Sequence, residues 1–133
     1  MGLSASIPSL KEEIPHGVHE CVISDVNSLK DLNGNPIVHS GASCVVFSFN
    51  CDGKISEKSF RLGNQFEYDS FKKLLAILGV KSDIAFNRNE IVGKKVCVII
   101  YKVTNKEGES HLTIANFKPI GKSYKHLKTE IYE

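Results

Sequence analysis

The stretch "SFRLGNQFEYDSFKKLLAILGV", residues 59–80, is the one clearly helical segment in a chain otherwise written in short alternating runs. Asn64 is a good N-cap, and Glu67, three residues on, completes a capping-box pattern. Phe71, Leu74, Leu75 and Leu78 recur at i, i+3, i+4 and i+7, which makes one face apolar. Asp69 and Lys73 are spaced for an i, i+4 pair on the opposite side, and Gly79 supplies a stop. One helix with one face to bury has to find that cover on strands.

Five strand-like runs surround it. "GVHECVISDVNSL" (17–29) puts Val18, Val22 and Val26 on one parity and Cys21 and Ile23 on the other, as a bent strand would. "ASCVVFSFNC" (42–51) sets Val45, Phe47, Phe49 and Cys51 against Cys44, Val46, Ser48 and Asn50. Asp52-Gly53 is a strong hairpin signal, and "KISEKSFRL" (54–62) follows with Phe60 and Leu62 on one side. Beyond the helix and a connector (81–90), "VGKKVCVIIYKV" (92–103) is apolar on both parities, as a central covered strand is. "HLTIANFKP" (111–119) closes the series after a polar turn around Gly108. Asn33-Gly34 and Pro36 mark a long turn between the first two runs.

The order is β-β-β-α-β-β, that of an OB-fold, a five-stranded Greek-key barrel whose helix covers one open end. The expected fold class is therefore all-β with one helix. Ubiquitin-like and SH3-like folds are the competitors: the first places its helix after two strands, and the second lacks a helix of this length. The expected organisation is an N-terminal arm (1–14), a barrel (15–121) and a polar C-terminal tail (122–133), flexible or briefly helical. With 133 residues, 41% of them hydrophobic and 24% charged, the chain is of a size and make-up for one packed domain. It holds no long apolar run, and its four cysteines are scattered rather than paired in a framework, so a reducing cytoplasmic setting is expected.

Catalytic signatures are missing. There is no Gly-x-Ser-x-Gly, no Walker loop, no Gly-x-Gly-x-x-Gly and no His-Glu-x-x-His. The cysteines form no Cys-x-x-Cys pair and sit among aliphatic residues, and His16 and His19 would point to opposite faces of a strand. No enzyme, metal or cofactor is expected.

Charge is distributed unevenly. Residues 1–52 hold two lysines, Lys11 and Lys30, against six acids, whereas residues 93–128 hold eight lysines against Glu107 and Glu109. An anion-facing surface has that asymmetry, as does an ordinary solvated face. Single-strand binders combine cations for the phosphates with aromatic faces for the bases. An OB barrel places that groove across its second and third strands, between the loops joining strands one to two and four to five. The residues expected there are Lys30 and His39 on the first loop and Lys58 and Arg61 on the third strand. Tyr101, Lys102 and Lys106 come from the fourth strand and the loop after it. Phe47, Phe49 and Phe60 share the core parity, which leaves Tyr101 as the stacking candidate.

The runs "PHGVHECVI", "FRLG", "FKKLLAILGV", "IVGKKVCVII" and "IANFKPIG", spread over residues 15–121, resemble small phage-encoded OB-fold single-stranded-DNA-binding proteins. The resemblance implies a barrel that coats single-stranded DNA with little sequence preference in phage replication or recombination. RNA binding is the weaker variant. Implied partners are the nucleic acid and replication or recombination proteins; if the barrel leaves strand edges exposed, these invite pairing with further copies of the chain. Its motifs are mostly structural and bear on fold more than on activity. The tail "KSYKHLKTEIYE" departs from the acidic tail by which housekeeping single-strand binders recruit enzymes. The alternative is an OB-like protein-interaction module, of the assembly or inhibitor kind, that binds no nucleic acid.

Overall fold

The computed structural model describes residues 13–28, 37–39, 44–80, 85–121, 124 and 127–133, with only the backbone described at 37–39 and 85–87. Among the described residues, eight strands and one α-helix follow in order: β1 (Gly17–Ser28), β2 (Ile37–His39), β3 (Cys44–Cys51), β4 (Lys54–Arg61), α1 (Gln65–Ile77), β5 (Ala85–Asn87), β6 (Lys95–Thr104), β7 (Ser110–Lys118) and β8 (Glu130–Tyr132). The main sheet is built on the path β4-β3-β1-β6-β7, whose neighbouring strands are all antiparallel. It curls into a nearly closed five-stranded barrel, the OB-like arrangement expected from the strand order. Among the described residues no helix is long and apolar enough to cross a membrane.

The strong local signals have identifiable physical causes. Asp52 (φ 52°) and Gly53 (φ 87°) are both left-handed, the geometry of a two-residue hairpin turn whose twist matches its strands. Inward residues of β3 pair with inward residues of β4, Val45 with Phe60 and Phe49 with Ser56. β1 serves both halves of the barrel: Gly17–Val22 pair with β6 and Val22–Ser28 with β3, through a register shift between Ile23 and Asp25. A bulge of this kind bends a strand, and here it lets one strand turn the corner between two sheet halves.

The helix sits where the barrel would otherwise be open, against β4 and β7. Phe71, Leu74 and Leu75 are buried on it, and Phe71 meets Phe47 and Phe60 with ring centroids 6.2 and 5.8 Å away. Phe117 of β7 reaches across to Phe49 (5.5 Å) and Phe60 (6.1 Å), so aromatic packing fills the seam between the edge strands β4 and β7. The helix ends as a Schellman motif: Val80 N–H donates to Leu75 C=O (2.9 Å) and Gly79 N–H to Ala76 C=O (3.1 Å), with Gly79 at φ 78°. The Lys94 ammonium donates to Leu78 C=O (2.6 Å), a cation at the negative end of the helix dipole.

Several details differ from the sequence reading. Asn64 Oδ1 accepts the Glu67 N–H (3.1 Å) as expected, but the Glu67 carboxylate reaches past the cap. It accepts from the Arg61 N–H (3.1 Å) and the Arg61 guanidinium (2.6 Å). Lys73 turns to Asn116 on β7 (2.7 Å) and Asp69 accepts from Gln65 (2.9 Å), so tertiary and alternative local partners replace the expected i, i+4 pair. Two connectors carry short strands, since β2 pairs with β5. The tail is not flexible or helical at its end: β8 runs parallel to β6, taking up the β6 edge beyond Ile100, where the pairing of β1 begins at Gly17. Ile14, placed in the arm by its sequence context, is 1% exposed and donates its N–H to Ser56 Oγ (3.1 Å). The turn at Asn33-Gly34 and Pro36 lies outside the described residues.

Candidate nucleic-acid interface

Beyond the core the β6–β7 hairpin continues as an arm, flanked on one side by β8. Residues paired across a ladder share a face, which sorts the arm into two sets. Lys102 is paired with both Leu112 and Glu130, and Thr104 with both Ser110 and Tyr132. Tyr101 is paired with Thr113, and Val103 with both His111 and Ile131. Lys102, Leu112 and Tyr132 therefore lie on one face and Tyr101 and His111 on the other. The Thr104–Ser110 hydroxyl pair (2.8 Å) fixes the first face at its tip.

Tyr132 is 72% exposed, whereas Tyr101 is half-buried. Glu130, although opposite Lys102, is turned toward His16 (3.6 Å), whose other ring nitrogen meets Thr129 Oγ1 (3.1 Å). Among the described residues no carboxylate comes within ion-pair distance of Lys102 or Lys106. Lys106 stands exposed in a well-built turn. Asn105 Oδ1 accepts the N–H groups of Glu107 (3.0 Å) and Glu109 (2.9 Å), and Gly108 takes φ 83°.

The Leu112 face runs down into a cleft of about 790 Å³. Ile100, Leu112 and Ile114 form its apolar wall, and Ile14 also lines it. Ser24 and Asp25 of β1, Ser48 of β3 and Glu57 of β4 form a second, polar wall, and Glu13 also lines the cleft. That wall is rich in acceptors and, among the described residues, carries no lysine or arginine. Asp25 accepts from Val26 N–H (2.9 Å) and Asn27 (2.7 Å) and lies 3.7 Å from Arg88, and Glu57 accepts from Ser48 Oγ (3.3 Å).

The third-strand cations stand apart from this arm. Arg61 is held by Glu67, and each stabilises the charged form of the other: the carboxyl lies below its ordinary range and the guanidinium above its own, chiefly through their hydrogen bond. Lys58 shares the inward parity of Phe47, and its ammonium lies 5.9 Å from the Phe60 ring centre, a cation–π contact at the rim of the core. Of the seven expected residues, the structure thus gathers Tyr101, Lys102 and Lys106 on one arm, though on two of its faces. It leaves Lys58 and Arg61 on another strand. Lys30 lies outside the described residues, and of His39 only the backbone, in β2, is described.

Sequence reasoning does not find Tyr132, because residues 122–133 read as a polar tail. Its signal was the β-prone Ile131-Tyr132 pair within "TEIYE". The acidic cleft wall was also missed, since Asp25, Ser48 and Glu57 come from three strands and meet only through register. Among the described residues there is no group of three or more His, Cys, Asp or Glu side chains placed to hold a metal ion. Comparison with protein-family models, with curated proteins and with solved structures finds no match to this chain.

Proposed function

We propose that the chain is a non-enzymatic OB-like protein that binds single-stranded DNA with low sequence preference, in phage replication or recombination inside the host cell. The observation that carries this reading is the face shared by Lys102, Leu112 and Tyr132 at the mouth of the barrel cleft, with Lys106 in the adjoining turn. Lys102 and Lys106 neutralise phosphates, and a base stacks on Tyr132, with Leu112 on the same face of the arm beyond β6. A stack of this kind contributes roughly 1–3 kcal/mol whatever the base, which fits weak sequence preference. The acidic wall then faces base edges rather than phosphates: Asp25 and Glu57 are acceptors for the N–H groups that pairing leaves free in a single strand, thymine N3–H as well as exocyclic amino groups. Duplex DNA hides those edges and the base faces, so the arrangement favours a single strand.

The same wall supports a second reading. A cleft pairing Asp25, Glu57 and Glu13 with Ile14, Leu112 and Ile114 also suits a basic, partly apolar protein segment. Fluorescence anisotropy with labelled oligo-dT, a duplex and an RNA oligomer over a salt series separates the two. The DNA reading predicts tightest binding to the single strand, with log K falling by about 0.7 per phosphate contacted for each unit of log salt. No binding at low salt would leave the protein-interaction reading standing. Equal, salt-sensitive binding to duplex and single strand would reduce the arm to generic cation behaviour.

A further inference from the structure

The β1–β3 ladder pairs Ile23 with Phe49 and Val22 with Asn50, so the next step along it sets Cys21 directly opposite Cys51. Both residues lie within their strands and both point inward. Cys21 is 1% exposed in the core, and the half-buried Cys51 packs against that core. The backbone fixes the type of pair. Ile23 N–H donates to Lys94 C=O (2.9 Å) and Ile23 C=O accepts from Gly93 N–H (2.8 Å), so both of its polar groups point away from β3. Toward β3, Ile23 is therefore a non-hydrogen-bonded position, and two residues along, by alternation, so is Cys21. Such pairs bring Cα atoms to about 4.5 Å and side chains closest together, inside the roughly 4.4–6.8 Å span a disulfide bridges. The other cysteines are elsewhere: Cys97 pairs with Glu20 on the opposite face of β1, and Cys44 stands at the far end of β3, across from Arg61.

We infer that Cys21 and Cys51 are an oxidisable dithiol, closed by peroxide into a cross-strand disulfide that staples β1 to β3. The half-exposed Cys51 is the thiol that meets the oxidant. Its sulfur attacks hydrogen peroxide, the S–O bond forms as the O–O bond breaks, and the departing hydroxide leaves with the thiol proton as water. The Cys21 sulfur then attacks the Cys51 sulfenic acid. The S–S bond forms, the S–O bond breaks, and the Cys21 proton departs with hydroxide as a second water. Two thiols and one peroxide become one disulfide and two waters. Burial first, and then the Cys51 thiol beside it, push the Cys21 pKa up to about 12, so the more exposed Cys51 is the thiol that reacts first. The bridge would close the segment from residue 21 to residue 51 and constrain the unfolded chain, raising stability.

The test is peroxide titration of the full-length protein, followed by blocking of remaining thiols under denaturing conditions and non-reducing peptide mapping. The expected product is lighter by two hydrogens and joins the Cys21 and Cys51 peptides, with Cys44 and Cys97 blocked. It melts at higher temperature than the reduced protein and reverts with dithiothreitol. Cys51→Ser, at a half-exposed position, should retain the fold and lose the cross-link. Cross-linking that persists in Cys51→Ser, a different pairing in the wild type, or Cys51 accumulating as sulfinic or sulfonic acid beside a free Cys21 would each overturn the inference.

Discussion

Removing the Phe71 ring separates a helix that plugs the barrel from one that merely lies on it. The side chain is fully buried, and its ring meets those of Phe47, Phe60 and Tyr68 at 6.2, 5.8 and 6.3 Å. Phe→Ala at such a site costs about 3–5 kcal/mol, from lost transfer energy and the cavity left behind. That is a large share of a total stability of roughly 5–15 kcal/mol. Phe71→Leu keeps most of the volume and loses the ring contacts, so a cost of about 1–1.5 kcal/mol is expected. Phe66, on the same helix but 85% exposed, is the control, and Phe66→Ala should stay within about 0.5 kcal/mol of wild type. Urea denaturation followed by circular dichroism reads all three. With a slope of about 2 kcal/mol/M, Phe71→Ala lowers the midpoint by roughly 1.5–2.5 M. A Phe71→Ala loss below about 1 kcal/mol, or an equal loss in Phe66→Ala, would refute the plug.

Ile14→Ala should cost about 2–5 kcal/mol in the same assay, because Ile14 is a core residue despite its place before the first strand. A cost near zero would show that the segment before β1 only rests on the barrel. Asn64→Ala removes the acceptor for Glu67 N–H and should cost about 1 kcal/mol, lowering Tm by about 3–5 °C. The Glu67 carboxyl is held below its usual range by its hydrogen bonds from Arg61, so its contribution is fully present above an unfolded pKa of about 4.3. It is lost as pH falls through the lower, folded value. The stability difference between wild type and Glu67→Gln should thus be level near neutrality and shrink in acid; a difference that grows in acid would contradict this pairing.

The barrel was legible because its signals are local and redundant. Val45, Phe47 and Phe49 alternate, Asp52-Gly53 imposes one turn geometry, and the Phe71–Leu78 stripe offers one face. Each acts over a few residues, and all agree on one architecture. The parts that were not legible depend on register and on partners distant in sequence. Glu67 fits a local capping box, yet Arg61 takes its carboxylate because a charged donor stands within reach. Lys58 reads as a free surface cation until the ladder sets it opposite Phe47 and above Phe60. Tyr101 and Lys102 are neighbours in sequence and for that reason point to opposite faces of the arm. Tyr132 joins Lys102 only through the parallel pairing of β8 with β6, and parallel ladders between distant segments leave little local trace.

The central claim is that a single strand lies on the β8–β6–β7 arm and not along the third-strand cations, and the salt dependence of binding to oligo-dT tests it by residue. Anisotropy titrations across the salt series should show a slope shallower by about 0.7 for Lys102→Gln than for wild type, as one phosphate contact is lost. Arg61→Gln, whose charge is already held by Glu67, should leave the slope unchanged. A wild-type slope in Lys102→Gln together with a shallower one in Arg61→Gln would contradict the account.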